Sequence, residues 1–104
     1  MKIPSQGAGA LYIFDFRSPQ FCGIGGCFYA VYHEGGNLVL QLIANPYLPA
    51  KEKLVRASDK VIGGFPCLAV TQPTAREKMV SHSEYCYQNG RFIRFNQTFS
   101  QVGQ

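Results

Sequence analysis

Between Cys27 and Leu48, two runs of β-branched, aromatic and aliphatic residues are separated only by Gly35-Gly36-Asn37. Glycine and asparagine reach the positive φ angles that primed hairpin turns require, so the two arms can fold back with matching twist. A corner at Gly35 and Gly36 pairs Glu34 with Asn37, Tyr32 with Val39, Ala30 with Gln41 and Phe28 with Ile43. The opposite face then carries His33 with Leu38, Val31 with Leu40 and Tyr29 with Leu42. Both faces are largely apolar, which fits a strand pair covered on both sides better than one with a solvated face. This ribbon is the expected centre of the fold.

A second ribbon closes the chain. Asn89-Gly90 is the strongest short-range hairpin signal, and it pairs Tyr87 with Phe92 and Tyr85 with Arg94 on one face, Cys86 with Ile93 on the other. Residues 11–17 read as a first strand, with Tyr12, Phe14 and Phe16 on one face and Ile13, Asp15 and Arg17 on the other. Ser18-Pro19 ends it. Residues 22–27 form a tight, glycine-rich connection, and residues 65–72 a fourth strand with Pro66 near its start.

Leu54, Val55, Val61 and Ile62 fall at helical spacing before Gly63-Gly64, which predicts a helix over 51–62, with a loop over the sheet as the alternative. Thr74 and Glu77 fit a capping box for a brief helix over 75–80. The expectation is therefore a β-dominated α+β fold. It has a single antiparallel sheet of about six short strands, open to curling into a barrel, with one or two short helices. Residues 1–10 read as a flexible arm, 11–99 as one globular domain and 100–104 as a frayed tail.

Composition narrows the partners. Charged residues make up 15% of the chain, below the usual share near 25%, while eight Phe and six Tyr supply large packing residues. The net charge of +4 is mild and makes nucleic acid an unlikely ligand, because its binders concentrate basic residues on one patch. Lys51, Lys53, Arg56 and Lys60 read as the solvated face of the expected helix. No apolar run is long enough to cross a membrane as a helix. The first ten residues lack the apolar core of a signal peptide.

Four cysteines are the sharpest chemical feature. As structural disulfides, Cys22–Cys27 would pin the start of the central hairpin and Cys67–Cys86 would tie the fourth strand to the last hairpin, although four cysteines allow three connectivities. Zinc is disfavoured because only Cys22 and Cys27 make a knuckle. A redox pair there lacks Cys-x-x-Cys spacing and a helix start. Buried free thiols remain the plain alternative for Cys67 and Cys86. The disulfide reading leads, and it favours an exported chain over a cytoplasmic one.

No catalytic constellation is legible. His33 and His82 are the two histidines, and a Cys27–His82 dyad has no motif behind it. The carboxylates Asp15, Glu34, Glu52, Asp59, Glu77 and Glu84 are not paired for acid–base work, and no cofactor is implied. The last hairpin gathers Tyr85, Tyr87, Phe92 and Arg94 with Arg91 nearby, residue types enriched at protein interfaces and able to stack on bases. The sequence thus points to a non-catalytic binding module presenting an aromatic and arginine surface to a protein. The alternatives are a thiol or zinc protein using Cys22 and Cys27, and a weak single-stranded nucleic-acid binder.

Overall fold

The computed structural model describes residues 2–5, 7–16, 20, 22–23, 26–45, 48, 53–74, 76 and 78–101. Within them the chain is built of strands: β1 (Lys2–Ile3), β2 (Leu11–Phe16), β3 (Cys22–Gly23), β4 (Gly26–His33), β5 (Leu38–Ala44), β6 (Val55–Ile62), β7 (Phe65–Pro73), β8 (Met79–Gln88) and β9 (Arg91–Gln101). They form two antiparallel sheets. In the first, β1, β2, β4 and β5 lie side by side, with the short β3 pairing the start of β4. The second runs β6-β7-β8-β9.

The expected single sheet with one or two helices is therefore wrong. The described residues hold nine strands, two sheets and no helix.

The two hairpins explain why the sheets form. Asn89 and Gly90 both take positive φ, 51° and 92°, and the ladder pairs Tyr87 with Phe92, Cys86 with Ile93 and Tyr85 with Arg94, as the turn chemistry requires. In the central hairpin Ala30 pairs Gln41, Phe28 pairs Ile43, Val31 pairs Leu40 and Tyr29 pairs Leu42. A bulge then shifts the register, so Tyr32 faces Leu38 rather than Val39. The extra residue, Val39, turns into the core and is 4% exposed.

The segment expected as a helix is β6. Its charged residues Arg56, Asp59 and Lys60 are exposed along a sheet edge, and Gly63-Gly64 serves as a two-residue hairpin corner with φ of 64° and 84°. Residues 51 and 52 lie outside the described residues. The second expected helix is also absent from what is described. Arg76 N donates to Thr74 Oγ1 at 3.1 Å, and that hydroxyl donates to the Met79 carbonyl at 3.0 Å, which closes the β7–β8 connection as a turn. Ala75 and Glu77 lie outside the described residues.

The sheets pack face to face. Ile3, Leu11, Ile13, Val31 and Val39 from the first share one core with Val55, Phe65, Leu68, Val70 and Phe92 from the second. The shortest dimension, 21 Å, is that of two layers about 10 Å apart with their outer side chains. Ile3 is 3% exposed, so the segment expected as a loose arm adds a buried side chain as well as β1. At one rim a side chain bridges the layers: Asn45 N donates to Gln72 Oε1 at 2.7 Å while Gln72 Nε2 donates to the Asn45 carbonyl at 3.1 Å.

Both disulfides are formed, Cys22–Cys27 and Cys67–Cys86, each joining neighbouring antiparallel strands. Two disulfides are compatible with an oxidising, exported environment. Removing Cys67 and Cys86 together by alanine substitution should cost about 3 kcal/mol, and removing Cys22 and Cys27 about 2 kcal/mol, because the second bond closes the shorter loop. Urea unfolding midpoints of the two double variants check the order. Gly26 holds φ at 123°, and a Cβ there would meet the Ala44 carbonyl, so Gly26→Ala should cost about 2 kcal/mol in the same assay.

Candidate functional site

Strand alternation sends Leu11 and Ile13 of β2, and Val31 of β4, into the core, so their neighbours must point the other way. Three rows result on the outer face of the first sheet: Tyr12–Tyr32–Leu38, Phe14–Ala30–Gln41 and Phe16–Phe28–Ile43. None of these nine side chains is charged. The central hairpin was expected to be covered on both faces. Instead, Phe14 is 48%, Leu38 43% and Ile43 59% exposed, because the second sheet covers only the opposite side.

The rings on this face hold one another. Phe14 meets Tyr32 edge-on with centroids 5.7 Å apart, and Phe16 meets Phe28 at 5.5 Å. Lys2, opposite Tyr12 on β1, places its Nζ 5.9 Å above the Tyr12 ring. At the turn end, Tyr12, Phe14, Tyr32, His33, Glu34 and Gly36 line an open depression of about 370 Å³.

Backbone hydrogen bonds fix the groups around it. Ala10 N donates to Glu34 Oε1 at 2.7 Å and Glu34 N donates to the Ala10 carbonyl at 2.9 Å. His33 Nε2 lies 2.7 Å from the Ala8 carbonyl, and Gly35 N donates to His33 Nδ1 at 3.3 Å. A ring protonated on Nε2 alone satisfies both bonds. Gly9, with φ of 92°, has no room for a Cβ beside the His33 ring, which is why the chain passes so closely here.

The residues of the last hairpin are divided. Phe92 is 3% exposed and belongs to the core, while Tyr85 and Tyr87 are half-buried against it. Phe65 contacts Tyr87 at 4.8 Å and Phe92 at 5.9 Å between ring centroids. Arg91 and Arg94 are exposed. Arg91 lines a cleft of about 320 Å³ with Leu38, Val39, Leu40, Gln41 and Phe92, which puts it beside the open face of the first sheet.

Cys27 is bonded to Cys22, and His82 lies in the other sheet, so no Cys27–His82 dyad is assembled. The His82 ring bridges strands instead, with Nδ1 3.0 Å from Thr71 Oγ1 and Nε2 2.8 Å from Ser100 Oγ. Beside it Ser58 Oγ donates to Glu84 Oε2 at 3.0 Å and Asn96 Nδ2 donates to Glu84 Oε1 at 3.3 Å. This polar strip stitches β6, β7, β8 and β9 together. Lys53, Arg56 and Lys60 are exposed, while Arg17 and Lys51 lie outside the described residues.

Among the described residues, no group of three or more His, Cys, Asp and Glu is placed to hold a metal, and no helix is long and apolar enough to cross a membrane. Comparison with models of protein families, with curated proteins and with solved structures gives no match.

The buried side of the last hairpin and the open face of the first sheet separate by stability. Phe92→Ala should cost about 3–5 kcal/mol because it opens the core. Ile43→Ser should cost under about 1 kcal/mol, since that side chain is already more than half in water. Denaturant titration of the two variants reads the difference directly.

Proposed function

We propose that the chain is a small, disulfide-pinned, non-catalytic recognition module that engages a protein partner through the open face of its first sheet. The carrying observation is the three-by-three array from Tyr12 to Ile43, aromatic and aliphatic except for Gln41 and uncharged, with Phe14, Leu38 and Ile43 exposed around the buried Ala30. The largest apolar patch on a monomer is about 300–600 Å² and is often functional, and three strands about 4.8 Å apart make a patch of that order.

Standard interfaces bury about 800 Å² per partner, so a partner must reach past the array to its rim. Lys2, Glu34 and Arg91 stand there, which supports an apolar centre ringed by polar groups. This reading moves the surface away from the last hairpin, where Tyr85, Tyr87, Phe92, Arg91 and Arg94 were expected to present it, because Phe92 serves the core. Arg91 lines the cleft beside the new face. A protein suits the face better than single-stranded nucleic acid, whose phosphates need several cations in register. The zinc alternative would require the Cys22–Cys27 bond to be opened first.

Affinity capture with the wild type and with a Phe14→Ser, Ile43→Ser variant tests the assignment, using unfolding midpoints to verify that both are folded. A partner held by the wild type and lost by the double variant is expected. Equal recovery of the same partner by both overturns the proposal.

A further inference from the structure

We propose that the depression at the turn end of the open face takes a cationic side chain of the partner, a lysine ammonium or an arginine guanidinium. It would sit between the rings of Tyr12, Phe14 and Tyr32 and the carboxylate of Glu34. This inference rests on reading the face as the recognition surface.

Aromatic rings carry negative charge on their faces and attract cations at centroid distances up to about 6 Å. Three such rings and Glu34 line the depression of about 370 Å³ together. The Ala10 N–H bond to Glu34 Oε1 at 2.7 Å holds the carboxylate in place. That bond uses one of several acceptor positions, so the group can still receive a donor from a ligand.

The His33 ring is turned to the backbone, with Nε2 2.7 Å from the Ala8 carbonyl and Gly35 N donating to Nδ1 at 3.3 Å. The chain also carries its own precedent. Lys2 already sets an ammonium 5.9 Å from the centroid of Tyr12, so this ring presents its face to a cation within the folded molecule.

The competing occupant is an apolar side chain, and the two are separated by a pair of probes of nearly equal shape. Choline carries a quaternary ammonium, whereas 3,3-dimethylbutan-1-ol replaces it with a neutral tert-butyl group. Titrations followed by NMR shifts of the Tyr12, Phe14 and Tyr32 rings should show choline binding roughly two- to thirtyfold more tightly. Glu34→Gln keeps an acceptor for Ala10 N and should weaken choline several-fold while leaving the alcohol unchanged.

Equal affinity for the two probes overturns the inference, as does absence of shifts with either, or choline binding indifferent to Glu34→Gln. Should the probes fail while the Phe14→Ser, Ile43→Ser variant still loses its partner, the cation inference falls and the recognition face stands. Should the double variant also keep its partner, both fall.

Discussion

A β-strand has two faces, and a chain of 104 residues has enough material for two layers of sheet. The central strand β4 is apolar on both sides, with Val31 and Tyr29 buried and Phe28 and Tyr32 on the reverse. The second sheet covers the first side, where Leu68, Val70 and Phe65 meet Val31, Leu11 and Ile13. Burying those side chains, each worth about 1.5–3 kcal/mol relative to water, is the main force joining the layers. The second sheet leaves the reverse side open, and that side is the surface proposed above for recognition.

Covalent and polar restraints then act where apolar packing is thin. Cys67 and Cys86 are fully buried, yet they lie on the side of the second sheet away from the shared core, one register step from the Leu68–Tyr85 pair. The disulfide fills that position, with the His82 and Glu84 hydrogen bonds continuing along the strand. The Glu84 carboxylate and the His82 imidazole thereby help to hold the strands together. Edge strands are handled by similar means: β6 carries Arg56, Asp59 and Lys60, and β1 is two residues long.

Local chemistry made the hairpins readable. Asn89-Gly90 specified its ladder back to the Tyr85–Arg94 pair, beyond which a bulge shifts the register. Gly35-Gly36 specified the pairs from Val31–Leu40 to Phe28–Ile43 but not those beside the corner, where a bulge that no turn rule predicts sets Tyr32 against Leu38. Both disulfide pairings were among the sequence readings because strands 65–72 and 84–95 were recognised. The misreading of 55–62 has a physical cause. Two apolar pairs separated by five residues fit a helix face as well as a strand whose middle is exposed, and Gly63-Gly64 can stop one or corner the other. The hairpin signal was present, since two glycines between apolar residues are a recognised corner.

The division into two sheets, and the choice of covered face, depend on contacts between residues far apart in sequence, which alternation alone does not encode. Tyr12, Phe14 and Phe16 were correctly placed on one face, but only the packed structure shows that face to be the open one.

The Gln72 side chain deserves a mechanical reading. Its amide meets the Asn45 backbone as another strand would, with one donor and one acceptor, and so adds a ladder rung to two layers whose shared core is apolar. Apolar surfaces resist being pulled apart but yield readily to sliding. A directional rung at the rim opposes that shear, so the layers keep their alignment and the rows of rings on the open side keep a constant spacing.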